Sequence, residues 1–145
     1  MNRIADWHTH LADFIHSRLR TPFAWGSQDC ALFACDAVQL ITGTDLAADF
    51  RGKYADARAA LVAIREYGGG GIDLLAEKKA AQFGLKEVPI NFASRGDIVL
   101  IQQDGDPESR LALGIVGMNG RHALCAGDEG LKHITREQWV KAWKI

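Results

Sequence analysis

Apolar residues recur every three or four positions in the first half of the chain, the spacing that places them on one face of an α-helix. The first such stripe consists of Ile4, Trp7, Leu11, Phe14, Ile15 and Leu19. Thr21-Pro22 ends this helix, because a proline disfavours helical backbone in the residue before it. Two later segments have the same character, residues 57–67 and residues 72–83, and Gly84 ends the second of them.

A further helix lies between the first stripe and residues 57–67 and runs to about Ile41. Its surface is apolar almost all round, so we expect it to be central and buried. Ser27 or Asp29 caps its N-terminus, and Gly43 ends it. This arrangement places Cys30 in the first turn of a buried helix.

After residue 97 the pattern changes to short apolar runs typical of β-strands. Runs at residues 97–101, 111–116, 121–126 and 131–134 predict four strands, with turns at residues 104–107, 119–120 and 128–130. The Asn119-Gly120 turn is a strong hairpin signal. Residues 135–138 predict a short helix, and residues 143–145 can finish as an edge strand. Helices followed by an antiparallel meander indicate the α+β class, with the helical half packed on the sheet.

Length and charge exclude several classes of protein. The chain has 145 residues, which corresponds to a single domain, residues 1–145. Lys and Arg number 17 against 18 Asp and Glu, so nucleic acid is not an expected partner. No apolar run approaches the ~20 residues of a membrane span, and the N-terminus lacks the apolar core of a signal peptide. We therefore expect a cytoplasmic protein, or one packed into a particle assembled in the cytoplasm.

The cysteines are the main candidates for chemistry. Three cysteines at these spacings fit neither a disulfide framework nor a zinc site, and we expect no metal and no cofactor. Cys30 follows an aromatic-glycine pair, Trp25-Gly26, and its helix terminus favours a thiolate, as a cysteine nucleophile requires. The alternative is that Cys30 is a small buried hydrophobic residue, which is also our interpretation of Cys35.

A cysteine nucleophile needs a base within hydrogen-bond reach. Three of the five histidines belong to the first helix, where they are expected on the solvated surface: His8, His10 and His16. His122 and His133 lie on predicted strands. His122 is the better candidate for a catalytic base, because it lies near the middle of the predicted sheet.

Three segments, in this order, carry a resemblance to a known family: Trp25-Gly26-x-x-Asp29-Cys30-x-x-Phe33, residues 95–99 with the sequence Arg-Gly-Asp-Ile-Val, and residues 111–117 with the sequence Leu-Ala-Leu-Gly-Ile-Val-Gly. The chain resembles the NlpC-type cell-wall endopeptidases over residues 22–126. Those enzymes are papain-like cysteine peptidases whose nucleophile opens a helix packed on an antiparallel sheet. The resemblance implies that fold here, with Cys30 as the nucleophile.

A smaller family from phage and prophage tail-gene clusters is more similar and covers nearly the whole chain. Its shared elements here are the segment from Pro22 to Phe33, the Arg-Gly-x-Tyr element at residues 51–54, and the terminal Ala-Trp-x-Ile at residues 142–145. This resemblance implies other tail or virion proteins as partners, and a location in the host cytoplasm or the virion.

The sequence departs from the peptidase pattern at the base. Aligned on Gly114-Ile115, the family histidine falls on Ala112. A hairpin turn at residues 119–120 pairs strand residues whose numbers sum to 239, so Ala112 shares a face with Cys125, while His122 lies on the opposite face. We expect the face of Ala112 and Cys125 to look at the helix of Cys30, and only a bulge would turn His122 toward it.

Two functions from different classes therefore remain. The chain is predicted to be a catalytically silent NlpC-like domain with a structural or recognition role in a tail assembly. Alternatively, it is an active cysteine endopeptidase or amidase that cleaves peptidoglycan peptides, with Cys30 as nucleophile and His122 as base. A redox or metal role through Cys30 and Cys125 is a minor third possibility.

Overall fold

The computed structural model describes residues 1–103 and 111–145 and has the predicted α+β architecture. Its four α-helices are α1 (Trp7–Arg18), α2 (Cys30–Thr42), α3 (Ala57–Gly68) and α4 (Ile72–Phe83). Its six strands are β1 (Lys86–Val88), β2 (Ile98–Gln102), β3 (Leu111–Val116), β4 (His122–Cys125), β5 (Lys132–Thr135) and β6 (Trp139–Lys144). The turn predicted at residues 104–107 lies outside the described residues. Within them, no helix is long and apolar enough to cross a membrane.

Helix α2 is the centre of the fold, as its all-round apolar sequence predicts. Of the two predicted caps, Asp29 is the one used: its Oδ1 accepts a hydrogen bond from the Leu32 N–H at 2.9 Å. Gly43 ends the helix in the left-handed conformation. Eight of the 13 residues of α2 are buried, which confirms that Cys30 opens a largely buried helix.

The strands form one antiparallel sheet in the order β1-β6-β2-β3-β4-β5. The register predicted for the central hairpin is confirmed, since Ile115 pairs with Leu124 and Val116 with Ala123. The C-terminal segment is longer and more central than predicted. Instead of an edge strand at residues 143–145, β6 lies between β1 and β2. Strand β1, which the sequence analysis missed, covers its other side.

Both faces of this sheet are apolar. Leu100, Leu113 and Leu124 share a core with α2, whereas Ile101, Ala123 and Cys125 pack in a second cluster with Trp139 on the opposite face. Side chains alternate between the faces along every strand, so each position is assigned to one side. The assignment decides which strand residues can reach the start of α2.

A buried carboxylate joins the two ends of the chain. Asp97 is fully buried, and its Oδ1 accepts hydrogen bonds from Arg3 at 2.9 Å and from the Ile145 N–H at 3.1 Å. Its Oδ2 accepts the Ser94 N–H at 2.9 Å. Arg3 in turn donates to the Ile145 carbonyl and lies over the Trp7 ring at 4.0 Å. The Gly-Asp segment that resembles the peptidases therefore has a structural role here.

We predict that Asp97→Ala lowers the free energy of unfolding by about 3–5 kcal/mol, because it leaves Arg3 partly buried without its partner. Urea denaturation of the variant and the parent measures the difference. Asp13→Ala, at an exposed position on α1, is the control and should change stability by no more than about 0.5 kcal/mol. Equal losses in the two variants would contradict the role of Asp97.

Candidate functional site

The cleft at the start of α2 is the candidate site. It encloses about 540 Å³. Trp25 and Cys30 lie on one side, α3 and the glycine-rich joint to α4 form the other, and Leu111 contributes from β3. The walls are mainly apolar, with Arg65 and Asp73 as the charged groups among the described residues. A pocket of this size and composition suits part of a peptide or another small organic ligand.

The turn before α2 is built around the buried carboxylate of Asp29. Besides capping α2, Asp29 accepts hydrogen bonds at Oδ2 from the Gly26 N–H at 3.0 Å and from the Tyr54 hydroxyl at 2.6 Å. Gly26 has φ +83°, and a Cβ there would lie 2.4 Å from the Tyr54 carbonyl oxygen, so only glycine fits. These contacts aim Cys30 at the cleft.

Tyr54 reaches this turn from the Arg-Gly-x-Tyr element. In the same element, Arg51 binds Asp45 through two hydrogen bonds of 2.9 Å and pairs with Asp36 at 2.7 Å. Burial and the hydrogen bond to Asp29 raise the pKa of Tyr54 well above its usual range, so its hydroxyl stays a donor. Two of the three segments that carry the tail-family resemblance are therefore in contact in three dimensions.

The Cys30 thiol is half-buried, and its acidity differs from the sequence expectation. Burial raises the pKa of Cys30 to about 12. Hydrogen bonds to the backbone of Leu113 and Ala31 oppose this increase, while the neighbouring Asp29 carboxylate adds to it. The expected low pKa at the helix terminus is therefore wrong, because the loss of hydration outweighs the favourable backbone dipoles.

His122 is not brought to Cys30. The register places His122 on the helix-facing side of the sheet, beside Gly117, which donates its N–H to the His122 carbonyl at 2.9 Å. The Cys30 thiol contacts β3 at Leu113, four residues earlier. At ~3.3 Å per residue, Gly117 and Leu113 are about 13 Å apart along the strand. Instead, the His122 ring contacts Asn119, with 2.9 Å between Nδ1 and the amide nitrogen.

The other histidines are also elsewhere. Three lie on α1, and His133 on β5 packs against His122 with 6.2 Å between the ring centroids. No histidine lines the cleft in the described part of the chain, which includes all five. In this arrangement the Cys30 thiol has no imidazole that could accept its proton.

The face predicted for Ala112 and Cys125 is wrong. Ala112 pairs with Ile101, and both Ile101 and Cys125 belong to the cluster on the side of the sheet away from α2. The β3 residue that lines the cleft with Cys30 is Leu111. The predicted pairing of β3 with β4 is correct. However, the alternation of side chains along a strand shows only which residues share a face, and it does not show which face the helices cover. The same placement leaves Cys30 and Cys125 on different faces of the sheet.

Several cleft residues were missed by the sequence analysis. Leu61, Ile64 and Arg65 form the α3 wall, and Ile72 and Asp73 begin α4 on the same side. The sequence did contain a signal for them. The adjacent apolar residues Leu61 and Val62 make the apolar face of the helix wider than a single buried stripe. Their exposed fractions are 64% and 60%.

These features define an α+β domain with a cysteine at the N-terminus of its central helix, beneath a largely apolar cleft. The chain belongs to the family described as a domain of unknown function, DUF6950, whose model matches residues 2–145. A comparison with curated proteins found no match.

We predict that the rate of Cys30 alkylation by iodoacetamide rises about tenfold per pH unit from pH 7 to pH 10. The thiolate is the reactive form, and well below a pKa of about 12 its concentration increases tenfold per unit. Peptide mapping of the native protein measures the rate, with Cys35 and Cys125, both buried, as slower internal controls. A plateau near pH 7 would show an activated thiolate instead.

We expect Leu111→His to place an imidazole in the cleft and raise the alkylation rate of Cys30 at pH 6–7 by about tenfold or more, because a nearby imidazolium lowers a thiol pKa. Ala112→His is the matched control. It inserts the same ring on the far face, where over-packing should cost about 1–3 kcal/mol without changing the rate. If Ala112→His accelerates the alkylation of Cys30 and Leu111→His does not, the assignment of these two residues to the faces of the sheet is wrong.

Proposed function

We propose that this protein is a catalytically silent NlpC-like domain with a papain-like arrangement, which serves as a structural or recognition domain in a phage or prophage tail assembly. The observation that carries the proposal is the pairing in the cleft: a cysteine at the start of α2 faces Leu111 and the backbone of Leu113, with no histidine beside it. The α+β fold with a cysteine at the start of its central helix supports the NlpC-like part of the proposal, and the lack of a cleft histidine among the described residues supports the silent part.

The chemistry of the thiol supports the silent role. Because burial raises the pKa of Cys30 to about 12, the thiol is protonated at pH 7. A cysteine peptidase avoids this handicap by placing a base within ~3 Å of the sulfur. Leu111 can neither accept a proton nor stabilise a thiolate. The cleft is therefore better suited to holding a ligand than to cleaving one.

The proposed setting follows from the resemblance to the tail-cluster family. Other tail or virion proteins are the proposed partners, and the proposed location is the host cytoplasm or the virion. The contact between Asp29 and Tyr54 supports this choice over a peptidase, because it gives two of the three tail-family segments a structural purpose that does not depend on Cys30 chemistry.

The second candidate is an active endopeptidase or amidase acting on peptidoglycan peptides. In its favour, Cys30 opens α2 and lines an accessible cleft. This activity requires a base from a residue that does not line the cleft in this structure. Alternatively, it requires a rearrangement that moves His122 toward Cys30 by about the length of four strand residues.

We predict that the purified protein releases no products from peptidoglycan fragments beyond those released by Cys30→Ala, as measured by mass spectrometry. The silent role also predicts that Cys30→Ala enters tail particles as efficiently as the parent. Cys35→Ala, within the core, controls for nonspecific effects of removing a thiol. Hydrolysis that is lost in Cys30→Ala and retained in Cys35→Ala would establish the peptidase and contradict the silent role.

A further inference from the structure

We propose that the Cys30 cleft binds a short peptide whose amino and carboxyl ends are both free and whose side chains are apolar. Arg65 binds the terminal carboxylate of this ligand, and Asp73 binds its terminal ammonium group. The inference rests on the proposed function, since it requires a cleft that binds without cleaving. It names the ligand that the recognition role leaves open.

The lining of the cleft carries one charged group of each sign among the described residues. Arg65 lies on the α3 wall, and Asp73 lies in the first turn of α4. The two side chains do not form an ion pair with each other, and within the described ranges neither has another ion-pair partner. The charges of the lining sum to zero, yet both charged groups are available. This combination complements a ligand that carries one charge of each sign.

The cation of the neighbouring hollow does not neutralise Asp73. This hollow, of about 450 Å³, shares Asp73 and Leu111 with the cleft. Lys141 lines the hollow, where it forms an ion pair with Glu77 and lies 3.8 Å from Glu87. Two carboxylates therefore already compensate the Lys141 ammonium group. The carboxylate of Asp73 remains available to a ligand in the cleft.

The glycine-rich joint between α3 and α4 keeps the space beside Asp73 open. Gly70 and Gly71 line the cleft, and neither has the left-handed backbone that favours glycine. A Cβ on Gly71 would lie 3.0 Å from Oδ1 of Asp73. A Cβ on Gly70 would lie 2.4 Å from a methyl carbon of Leu74. Side chains at these two positions would press on their neighbours, so glycine here preserves the room around the carboxylate.

The remaining walls suit an apolar ligand of two or three residues. Trp25, on the side of Cys30, is 40% exposed, and Leu61 and Ile64 face the cleft from α3. The volume of about 540 Å³ accommodates a dipeptide or tripeptide. In extended form, such a peptide holds its charged ends about 7–10 Å apart. This separation suits two charged side chains that line one cleft without pairing.

The test uses the full chain and the dipeptide leucyl-leucine in four forms: unmodified, N-acetylated, C-amidated and blocked at both ends. Isothermal titration calorimetry measures the affinities. The indole N–H signal of Trp25 in NMR spectra reports binding in the cleft, with the buried Trp139 as the reference signal. We expect the affinity of the parent protein to fall about tenfold when one end is blocked and about a hundredfold when both are blocked.

Two variants test the assignment of the ends. Arg65→Gln should bind the unmodified dipeptide about tenfold more weakly and should no longer distinguish it from the C-amidated form. Asp73→Asn should show the same loss and should no longer distinguish the unmodified from the N-acetylated form. A general disturbance of the cleft would not produce losses specific to one end. Arg58→Gln and Asp13→Asn make the same changes at exposed positions outside the cleft and should bind like the parent.

Equal affinity of the parent for all four forms, or equal weakening by Arg58→Gln and Arg65→Gln, would overturn the ligand assignment. Binding that shifts the Trp139 signal and leaves the Trp25 signal unchanged would also overturn it. Mass spectrometry of the same samples tests the proposed function separately. Hydrolysis of the dipeptides that is lost in Cys30→Ala contradicts the silent role, whereas absence of both binding and hydrolysis contradicts only the ligand assignment.

Discussion

The buried carboxylate of Asp29 is the interaction on which the site depends. One side chain caps α2, holds the Gly26 turn and accepts the hydroxyl of Tyr54. Because the Asp29 side chain itself is buried, losing its hydrogen-bond donors would leave a buried carboxylate unsatisfied. The direction in which Cys30 leaves the helix, and hence the composition of the cleft around it, follows from this arrangement.

The position of the cleft follows from the sheet. Helices cover one face and a smaller apolar cluster covers the other, so nearly every position of β3 is buried. Leu111 is the exception, since it begins the strand beside the glycine joint between α3 and α4 and stays partly accessible. That joint permits close packing, because a Cβ on Gly68 would lie 2.8 Å from Leu75. Helices α3 and α4 thus form one wall of the cleft and leave Cys30 accessible.

The balance of electrostatics in the cleft favours the protonated form of the Cys30 thiol. The terminus of α2 and two backbone hydrogen bonds favour a thiolate, but burial and the adjacent Asp29 oppose it more strongly. A nearby cation could reverse that balance. Arg65 instead lies exposed on the α3 wall, and Asp73, of opposite charge, lines the same cleft. The same cleft thus has a protonated thiol at its base and charged groups of both signs in its lining.

Much of the fold could be predicted because local patterns specify it directly. The apolar stripes and glycine ends determined the four helices, the cap at Asp29 placed Cys30 at the start of α2, and the Asn119-Gly120 turn determined the register of β3 and β4. These features depend on residues close together in the chain, where backbone geometry leaves few alternatives.

Tertiary structure decided which face of the sheet meets the helices and therefore what lies beside Cys30. Alternation predicts that Ala112 and His122 point in opposite directions, but with both faces apolar it does not distinguish inside from outside. The strand β6 was also placed by long-range pairing, between β1 and β2. The raised pKa of Cys30 has the same origin. The helix terminus that favours a thiolate is formed by residues close together in the chain, but the desolvation that overrides it comes from burial in the folded protein, which no pattern around residue 30 contains.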